Sequence, residues 1–301
     1  MKRMEIHAEM DETTRQAREA LLEKLRNDPR IIRFLQTEKQ DGQFLEQNAG
    51  AMGRYLDSLD RCSRCRGLEF CRQPMKGRGL AMHVVDGILE ETYVPCRRQQ
   101  AVMDLRRHRS SYRIFHGDPG DLELSMKSIS MEGETPEYMS SYIAAMQSVD
   151  KPGGIFLYGQ PGTGKTYLLT ALANDFARQG LKVSFVKVPL FVQDFRQSLE
   201  DPEYRQDMLG HLKFSDVVVL DDLGSEGISK WTRDDILFPV LDYRMQNGKK
   251  TYFSSNYTPE ELLEKYQPDG DWVASLRLQE RIRSLAQPVK MTGSSRRNSA
   301  A

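Results

Sequence analysis

The stretch from Gly159 to Thr166 constrains the fold of this chain more than any other, because it fits the pattern GxxxxGK[ST]. An apolar run, residues 155–158, comes directly before it, and a helical pattern follows directly after it. Glycines let the backbone curl until several N–H groups face one phosphate, and a helix N-terminus adds a positive dipole end. The sequence therefore predicts strand, phosphate-binding loop and helix, with these binding residues: Gly159, Gln160, Pro161, Gly162, Thr163, Gly164, Lys165, Thr166 and Tyr167.

Two side chains at the end of this loop predict the class of ligand. Lys165 can reach the β- and γ-phosphates of a nucleoside triphosphate, and the hydroxyl of Thr166 can ligate Mg²⁺. An ordinary glycine-rich turn is the alternative, and the strand before the loop and the helix after it argue against that alternative. We therefore expect a nucleoside triphosphate with Mg²⁺.

Polar side chains follow two further apolar strands. The strand 217–220 ends in Asp221 and Asp222, and the strand 251–254 is followed by Ser255 and Asn256. The first acid can hold Mg²⁺ and the second can polarise an attacking water, which is the expected complement of a phosphate loop. Asn256 stands where its amide could orient that water or touch the γ-phosphate. Taken together with the loop, these strand ends predict nucleotide hydrolysis.

Strands and helices alternate after the phosphate loop. The periodicity predicts helices over 165–179, 190–199, 204–213, 233–246, 259–266 and 272–286, and strands over 183–188, 217–220 and 251–254. This alternation predicts an α/β fold, with a parallel sheet, helices on both of its faces and a ligand crevice at the carboxyl ends of the strands.

The first half of the chain has a different character. Residues 12–26 and 30–36 have helical periodicity, and the polar stretch 40–50 predicts a connection. Residues 61–115 contain 12 Lys and Arg against 5 Asp and Glu, although the whole chain has 43 of each. This basic excess suits an anionic partner or is a solvated surface. A stretch rich in Ser, Gly, Asp and Pro follows, and it predicts an inter-domain linker.

All four cysteines of the chain lie within a short window, at Cys62, Cys65, Cys71 and Cys96. Two cysteines separated by two residues form a chelating unit, and four thiolates can hold Zn²⁺ in a tetrahedron. A redox pair is the alternative, but such pairs usually lie at the start of a helix that follows a strand. The pattern therefore predicts a structural zinc site. Its ligand set is open at one position, where His83 could replace Cys71; Cys71 is favoured, because an isolated histidine is more often a surface or packed residue than a ligand.

The first residues contain no apolar segment of the kind found in signal peptides, and nowhere do 18 apolar residues run together. We therefore expect no membrane span and a cytoplasmic location. In a reducing compartment clustered cysteines seldom form structural disulfides, which favours a metal as the reason for their clustering.

The phosphate loop, the acidic motif Asp221-Asp222-Leu223-Gly224, the strand end at Asn256 and the segment Glu280-Arg281-Ile282-Arg283 resemble AAA+ ATPases of the helicase-loader branch, the DnaC/DnaI family. The cysteine window extends this resemblance to most of the chain. The resemblance implies a helical zinc-binding domain at 1–110 that contacts the helicase, a linker at 111–135 and an AAA+ ATPase domain at 136–301.

The resemblance also implies roles for individual residues. Lys165 and Thr166 would be the Walker A residues, Asp221 the Walker B acid that holds magnesium, and Asp222 the catalytic acid. Asn256 would be the sensor-1 residue, and Arg281 an arginine finger that reaches the nucleotide of a neighbouring subunit. Arg297 would be the sensor-2 arginine, a label for which Arg283 and Arg296 are the alternatives. ATP, Mg²⁺ and Zn²⁺ are the implied cofactors.

The implied function is ATP-dependent loading of a hexameric replicative DNA helicase onto single-stranded DNA, by a protein that assembles with copies of itself when nucleotide binds. The helical segments within 190–213 would contact the single strand, with Lys187, Arg196, Arg205 and Lys213 as candidate contacts. Two alternatives remain open: a transposition-helper ATPase, and a zinc-dependent DNA-binding protein with a regulatory nucleotide site.

One departure from the family pattern affects the expected rate. Many AAA+ proteins have Glu where this chain has Asp222, and Asp is shorter by one methylene. The carboxylate would then lie farther from the attacking water, so we expect slow turnover, as in a nucleotide-dependent switch.

Overall fold

The structure is a computed structural model, and it describes residues 11–268 and 270–293. The chain divides into two compact units, with the boundary between Met103 and Asp104. None of the helices in the described residues is long and apolar enough to cross a membrane.

Four helices begin the N-terminal unit: α1 (Glu12–Asn27), α2 (Pro29–Thr37), α3 (Gly42–Gln47) and α4 (Ala49–Ser63). Aspartate side chains cap the first three, and Asp41, for example, accepts a hydrogen bond from the backbone N–H of Phe44 at 2.9 Å. Apolar side chains of all four helices form the core of this unit. The structure corrects the connection predicted over 40–50, because the Asp41 cap and the buried Phe44 and Leu45 make most of that stretch helical.

A hairpin follows, formed by β1 (Arg78–Val85) and β2 (Ile88–Pro95). Asp86 and Gly87 join the strands, and both have positive φ angles, 50° and 79°. An Asp-Gly pair in this conformation forms a two-residue turn whose twist matches that of antiparallel strands. This hairpin was not predicted from the sequence. Helix α5 (Arg97–Ser111) then contains the boundary between the two units.

The C-terminal unit alternates strands and helices. After β3 (Tyr112–Phe115) come two short 3₁₀ helices, Pro119–Glu123 and Met126–Ser128, and then α6 (Pro136–Ser148), β4 (Gly154–Tyr158), α7 (Lys165–Arg178), β5 (Val183–Lys187), α8 (Val188–Gln197), α9 (Pro202–Phe214) and β6 (Val217–Asp221). A π-helical turn, Thr232–Leu237, leads into α10 (Phe238–Gln246), which is followed by β7 (Lys250–Ser255), α11 (Pro259–Lys265), α12 (Trp272–Leu285) and β8 (Ala286–Lys290).

These strands form one six-stranded parallel sheet in the order β3-β5-β6-β7-β4-β8. Two apolar cores cover its faces, one containing buried side chains of α7 and the other buried side chains of α10 and α12. Every residue of β6, at the centre of the sheet, is buried. The predicted α/β fold with a parallel sheet is confirmed.

Two strands of the sheet lie where the sequence predicted none. Strand β3 lies inside the stretch predicted as a linker, and it pairs with β5, so that residues 112–115 belong to the sheet of the C-terminal unit. Strand β8 pairs with β4 immediately after α12 ends. Both are short edge strands, of four and five residues, so their sequences carry little periodic signal.

Candidate functional site

A cleft of about 800 Å³ opens beside the phosphate loop. It lies at the carboxyl ends of β4, β6 and β7, where a doubly wound parallel sheet holds its ligand. The phosphate loop, the acidic turn, the residue after β7 and the segment that begins in the first 3₁₀ helix all contribute to its lining, which consists of Asp121, Leu124, Ile129, Ser130, Glu134, Pro161, Gly162, Gly164, Lys165, Thr166, Tyr167, Thr170, Asp222, Ser225 and Asn256.

The phosphate loop depends on glycine at the point where it leaves β4. Gly159 has a φ angle of 150°, and a Cβ atom there would lie 2.1 Å from the carbonyl oxygen of Met291. Gly164, the residue before α7, has a φ angle of 99°, which a side chain would also disfavour. The loop can therefore approach a phosphate with its backbone, as its sequence predicts.

Lys165 points across the loop and is only 5% exposed. Its ammonium group donates to the carbonyl oxygens of Gly159 and Gln160, at 2.8 and 2.9 Å, and to Oδ1 of Asn256, at 3.0 Å. The structure thus brings together the loop lysine and the polar residue at the end of β7, which are 91 positions apart. These contacts hold a cation over the mouth of the loop.

Asp221 ends the central strand and is completely buried. The hydroxyl of Thr166 donates to its two oxygens at 3.0 and 3.2 Å, and Ser254 donates to Oδ1. Burial raises the pKa of Asp221 to about 6, against the opposing effect of the hydrogen bond from Ser254. A buried acid beside a threonine hydroxyl is an oxygen donor set suited to Mg²⁺, whose charge would favour the ionised carboxylate.

Asp222 lies in the left-handed region, with a φ angle of 57°. Its backbone N–H donates to Oγ of Ser254 at 2.9 Å, and the next N–H, that of Leu223, donates to the carbonyl oxygen of Ser254 at 2.8 Å. Asp tolerates this conformation better than larger residues, and strained backbone of this kind is frequent at functional sites. The turn reverses the chain after β6 and leaves Asp222 in the lining of the cleft.

A further carboxylate, that of Glu226, lies beyond this turn and was not predicted from the sequence. Glu226 is buried, accepts the N–H of Gly224 at 2.8 Å and accepts the hydroxyl of Tyr266. Burial raises the pKa of Glu226. The hydrogen bond between Glu226 and Tyr266 joins the acidic turn to the end of α11. The two residues are 40 positions apart, so their contact is seen only in the structure.

The wall of the cleft at residues 121–134 comes from the stretch predicted as a linker. The end of α7 holds this wall, because Arg178 donates to the carbonyl oxygens of Leu122, Glu123 and Leu124 at 2.8 to 3.1 Å. Asn174 donates to the carbonyl oxygens of residues 121 and 124, and Asp175 accepts from the backbone of residue 126. We call these three side chains of α7 the wall clamp.

The arginines named from the sequence do not line this cleft. Arg281 is 21% exposed; its Nε lies 3.1 Å from Oδ1 of Asp242, and its guanidinium stacks over the ring of Phe238. Arg283 forms an exposed ion pair with Glu260 at 3.2 Å. Arg296 and Arg297 lie outside the described residues. Within one chain, therefore, Arg281 stands apart from the residues that surround the phosphate loop.

Three cysteines share one cavity in the N-terminal unit. Cys62, Cys65 and Cys71 line it, and Cys71 Sγ accepts the N–H of Gly77 at 3.3 Å. That hydrogen bond lowers the pKa of the Cys71 thiol. Cys96 is tied to the same glycine, since its N–H donates to the Gly77 carbonyl oxygen at 2.8 Å.

The predicted zinc site does not appear as a formed metal centre. All four thiols are free, and among residues 11–268 and 270–293 no three His, Cys, Asp or Glu side chains converge in a way that could hold a metal ion. His83 lies on β1, and its Nδ1 is 3.7 Å from a carboxylate oxygen of Glu38. The histidine alternative therefore faces α2, whereas the cysteines surround the loop before β1.

The predicted DNA-contacting segment forms α8 and α9 as expected, but its cations are partly engaged. The guanidinium of Arg196 stacks over Trp231 and donates to the carbonyl oxygen of Gly227 at 3.3 Å. Lys187 ends β5 and lies in register with Asp221 of β6.

The chain is similar to known proteins along most of its length. Residues 100–300 match the model of the IstB-like ATP binding proteins. The replicative helicase loader DnaI of Bacillus subtilis (strain 168) is 27% identical over 290 residues, which cover 93% of each chain. A crystal structure of DnaI superimposes with a TM-score of 0.55 and 31% identity, over 62% of this chain and all of the other. A candidate primosome component from Streptococcus pyogenes serotype M3 gives a TM-score of 0.52 and 25% identity, over 63% of this chain and 97% of the other.

Proposed function

Because the chain belongs to the family of IstB-like ATP-binding proteins, we propose that it is an ATP-dependent loader of the replicative DNA helicase. The observation that carries this proposal is the extent of the similarity to the helicase loader of Bacillus subtilis, which spans 93% of both chains. Similarity of that extent includes the cysteine-containing unit. A transposition helper with an unrelated N-terminal region would share only the ATPase unit, so that alternative is not favoured.

ATP and Mg²⁺ fit the cleft by the chemistry of its lining. The backbone of the phosphate loop and the ammonium of Lys165 are donors for phosphate. Thr166, which lines the cleft, and the buried Asp221 to which its hydroxyl is bonded are oxygen donors for a hard cation. The nucleoside part would lie against the wall, where Leu124 and Ile129 are apolar. When bound, Mg²⁺ supplies charge neutralisation at the phosphates.

In hydrolysis, Asp222 would accept a proton from the attacking water and Asn256 would orient that water. Both line the cleft together with Lys165, which supports their assignment to one reaction centre. The short side chain of Asp222 favours slow turnover. With slow hydrolysis, ATP stays bound for longer, and the bound nucleotide can then act as a switch that determines which complexes the protein forms.

Arg281 would serve a neighbouring copy. Within its own chain it pairs with Asp242 and lies outside the cleft lining, so an action on nucleotide requires a second subunit. ATP would therefore favour a homo-oligomer in which each copy receives Arg281 from the next. The sensor-2 assignment of Arg297 remains a proposal of the same kind.

The cysteines would hold Zn²⁺ with Cys71 as the fourth ligand. The N–H of Gly77 favours the thiolate of Cys71, and Cys96 is bonded to the same glycine, whereas His83 lies about 16 Å along β1 from its first residue. Bound zinc measured in Cys71→Ser and His83→Ala separates the two sets. We expect loss of zinc in the first variant only; full zinc in Cys71→Ser would exclude this ligand.

The whole protein would act in the cytoplasm, with its N-terminal unit on the hexameric helicase and α8 and α9 on single-stranded DNA. A smaller salt dependence of oligonucleotide binding in Lys187→Ala and Arg196→Ala than in the wild type would support the assignment of α8 and α9. Unchanged oligonucleotide binding in these variants would contradict this assignment.

The loader assignment itself is tested by complex formation. The full chain is mixed with the hexameric replicative helicase of the same organism, and co-elution is measured with and without ATP. We expect a complex that responds to ATP in the wild type and loses this response in Lys165→Ala. Absence of any complex would contradict helicase loading and favour the transposition helper.

A further inference from the structure

A basic cleft surrounds the cysteine loop of the N-terminal unit. Its volume is about 300 Å³, and its lining includes four arginines and one exposed aromatic residue, Arg61, Arg64, Arg66, Arg72 and Phe70. We call these five residues the arginine cleft. All five side chains are exposed, and the lining contains a single carboxylate, that of Glu69. Four of the 12 Lys and Arg residues of the basic stretch 61–115 therefore line one concave place.

The four arginines lack carboxylate partners within the part of the chain that the structure describes. Two other exposed arginines of the same unit are paired: Arg26 forms an ion pair with Glu46, and Arg54 forms one with Glu91. Unpaired like charges repel one another, and this repulsion is relieved when an anion binds between them. The arrangement is that of a binding surface for a polyanion.

Phe70 adds a second kind of recognition. Its side chain is 58% exposed, and the guanidinium of Arg66 lies over its ring at 5.2 Å from the centroid. An exposed aromatic ring among cations is typical of proteins that bind single strands, where bases stack on rings and phosphates meet arginines. An acidic protein surface would use the charges but would have no need of the ring.

Hydrogen bonds connect the loop that forms the cleft to the rest of the N-terminal unit. Gln73 is buried and donates to the carbonyl oxygen of Ser58 at 2.6 Å and to Cys62 Sγ at 3.1 Å. The hydroxyl of Ser58 also accepts the N–H of Leu80, at 3.1 Å. These bonds tie the cysteine loop to α4 and β1, so the arginines are presented from an ordered base.

We propose that the arginine cleft binds single-stranded nucleic acid, with phosphates on Arg61, Arg64 and Arg72 and one base on Phe70. A single strand is favoured over a duplex because only an unpaired base offers a free face to the ring. This site is separate from the contacts proposed for α8 and α9, and it gives the N-terminal unit a role beyond holding the helicase.

The test measures binding of a labelled oligothymidylate to the full chain over a range of salt concentrations. The variant Arg64→Gln/Arg72→Gln removes two cleft charges, and Arg26→Gln/Arg54→Gln removes two paired charges from the same unit. Each lost phosphate contact lowers the slope of log Kd against log salt by about 0.7 for a single strand. We expect a slope smaller by about 1.4 in the cleft variant and an unchanged slope in the control.

Phe70→Ala tests the stacking contact separately. We expect its affinity to fall about 5-fold or more at every salt concentration, while Met75→Ala, which removes a neighbouring side chain that is 51% exposed, leaves it unchanged. A matching oligouridylate and a duplex competitor show whether DNA or RNA is preferred and whether a single strand is required.

The proposal is overturned if the cleft variant binds oligonucleotide as the control does, or if the wild type binds none. It is also overturned if the cleft variant loses only the helicase, because the cleft would then be a protein interface. ATP hydrolysis and helicase co-elution are measured on the same variants, so failure of this proposal is distinguishable from failure of the loader assignment.

Discussion

At the scale of single residues, Asp222 connects an unusual backbone conformation to the expected rate of hydrolysis. Its φ angle of 57° leaves it in the cleft lining, but its side chain is one methylene shorter than Glu. We expect Asp222→Glu to hydrolyse ATP faster, and Asp222→Asn, which cannot accept the proton, to be slower than wild type by a factor of about 10² or more.

Steady-state phosphate release and nucleotide affinity are measured on both Asp222 variants. Affinity should be retained in each, because neither change removes a donor to phosphate. A turnover in Asp222→Glu that equals or falls below the wild type would contradict the account of slow hydrolysis.

The buried Glu226 predicts a pH dependence of stability. Burial raises its pKa, so this carboxyl ionises at a higher pH in the folded than in the unfolded chain. Its ionisation then costs folding free energy, and the cost increases as pH rises above the unfolded pKa of about 4.3. Glu226→Gln removes the cost. In urea unfolding, the free energy of unfolding of the variant, relative to that of the wild type, should be larger near about pH 8 than near about pH 5.

Glu200→Gln, an exposed acid of the same unit, is the matched control and should show no such trend. If the difference in unfolding free energy between Glu226→Gln and the wild type is the same at both pH values, the carboxyl does not titrate differently in the two states.

At the scale of elements, α7 connects the phosphate loop with the wall against which the nucleoside is proposed to lie. The helix begins at the phosphate loop, and near its other end Arg178 holds the three carbonyl groups of residues 122–124. Arg178→Ala should loosen the wall and raise the KM for ATP about 10-fold, with a smaller change in kcat. Affinity for inorganic tripolyphosphate should not change, since that ligand has no nucleoside.

Arg113→Ala is the control for charge, because Arg113 is an exposed cation of β3 that does not line the cleft. Equal losses of ATP and tripolyphosphate affinity in Arg178→Ala would instead indicate damage to the phosphate loop itself.

Some of these elements could be predicted from the sequence, and others could not. The phosphate loop, the central strand ending at Asp221 and the alternating helices have strong local patterns, and the structure has them where they were predicted. The wall and the strands β3 and β8 lack such patterns. Side chains of α7 hold the wall, and each of the two strands pairs with the backbone of a strand that is distant in the sequence. The bond between Glu226 and Tyr266 belongs to the same class, because neither residue signals the other in the sequence.

At the scale of the whole molecule, Arg281 predicts that hydrolysis requires more than one copy. Arg281→Ala should bind ATP normally and hydrolyse it slowly. Asp222→Asn keeps its own arginine and lacks the acid, so mixing the two inactive variants should restore part of the activity at mixed interfaces. Activity is measured against protein concentration. No recovery on mixing, with full activity in dilute wild type, would contradict a shared site.

The central claim is that ATP bound at the phosphate loop drives placement of a replicative helicase on single-stranded DNA. The direct measurement is recovery of the hexameric helicase on circular single-stranded DNA in the presence of the full chain and ATP. A circle has no end over which a closed helicase ring could pass. The account predicts helicase on the circle with the wild type, and little or none with Lys165→Ala or without ATP. Equal recovery with and without the protein would contradict the account.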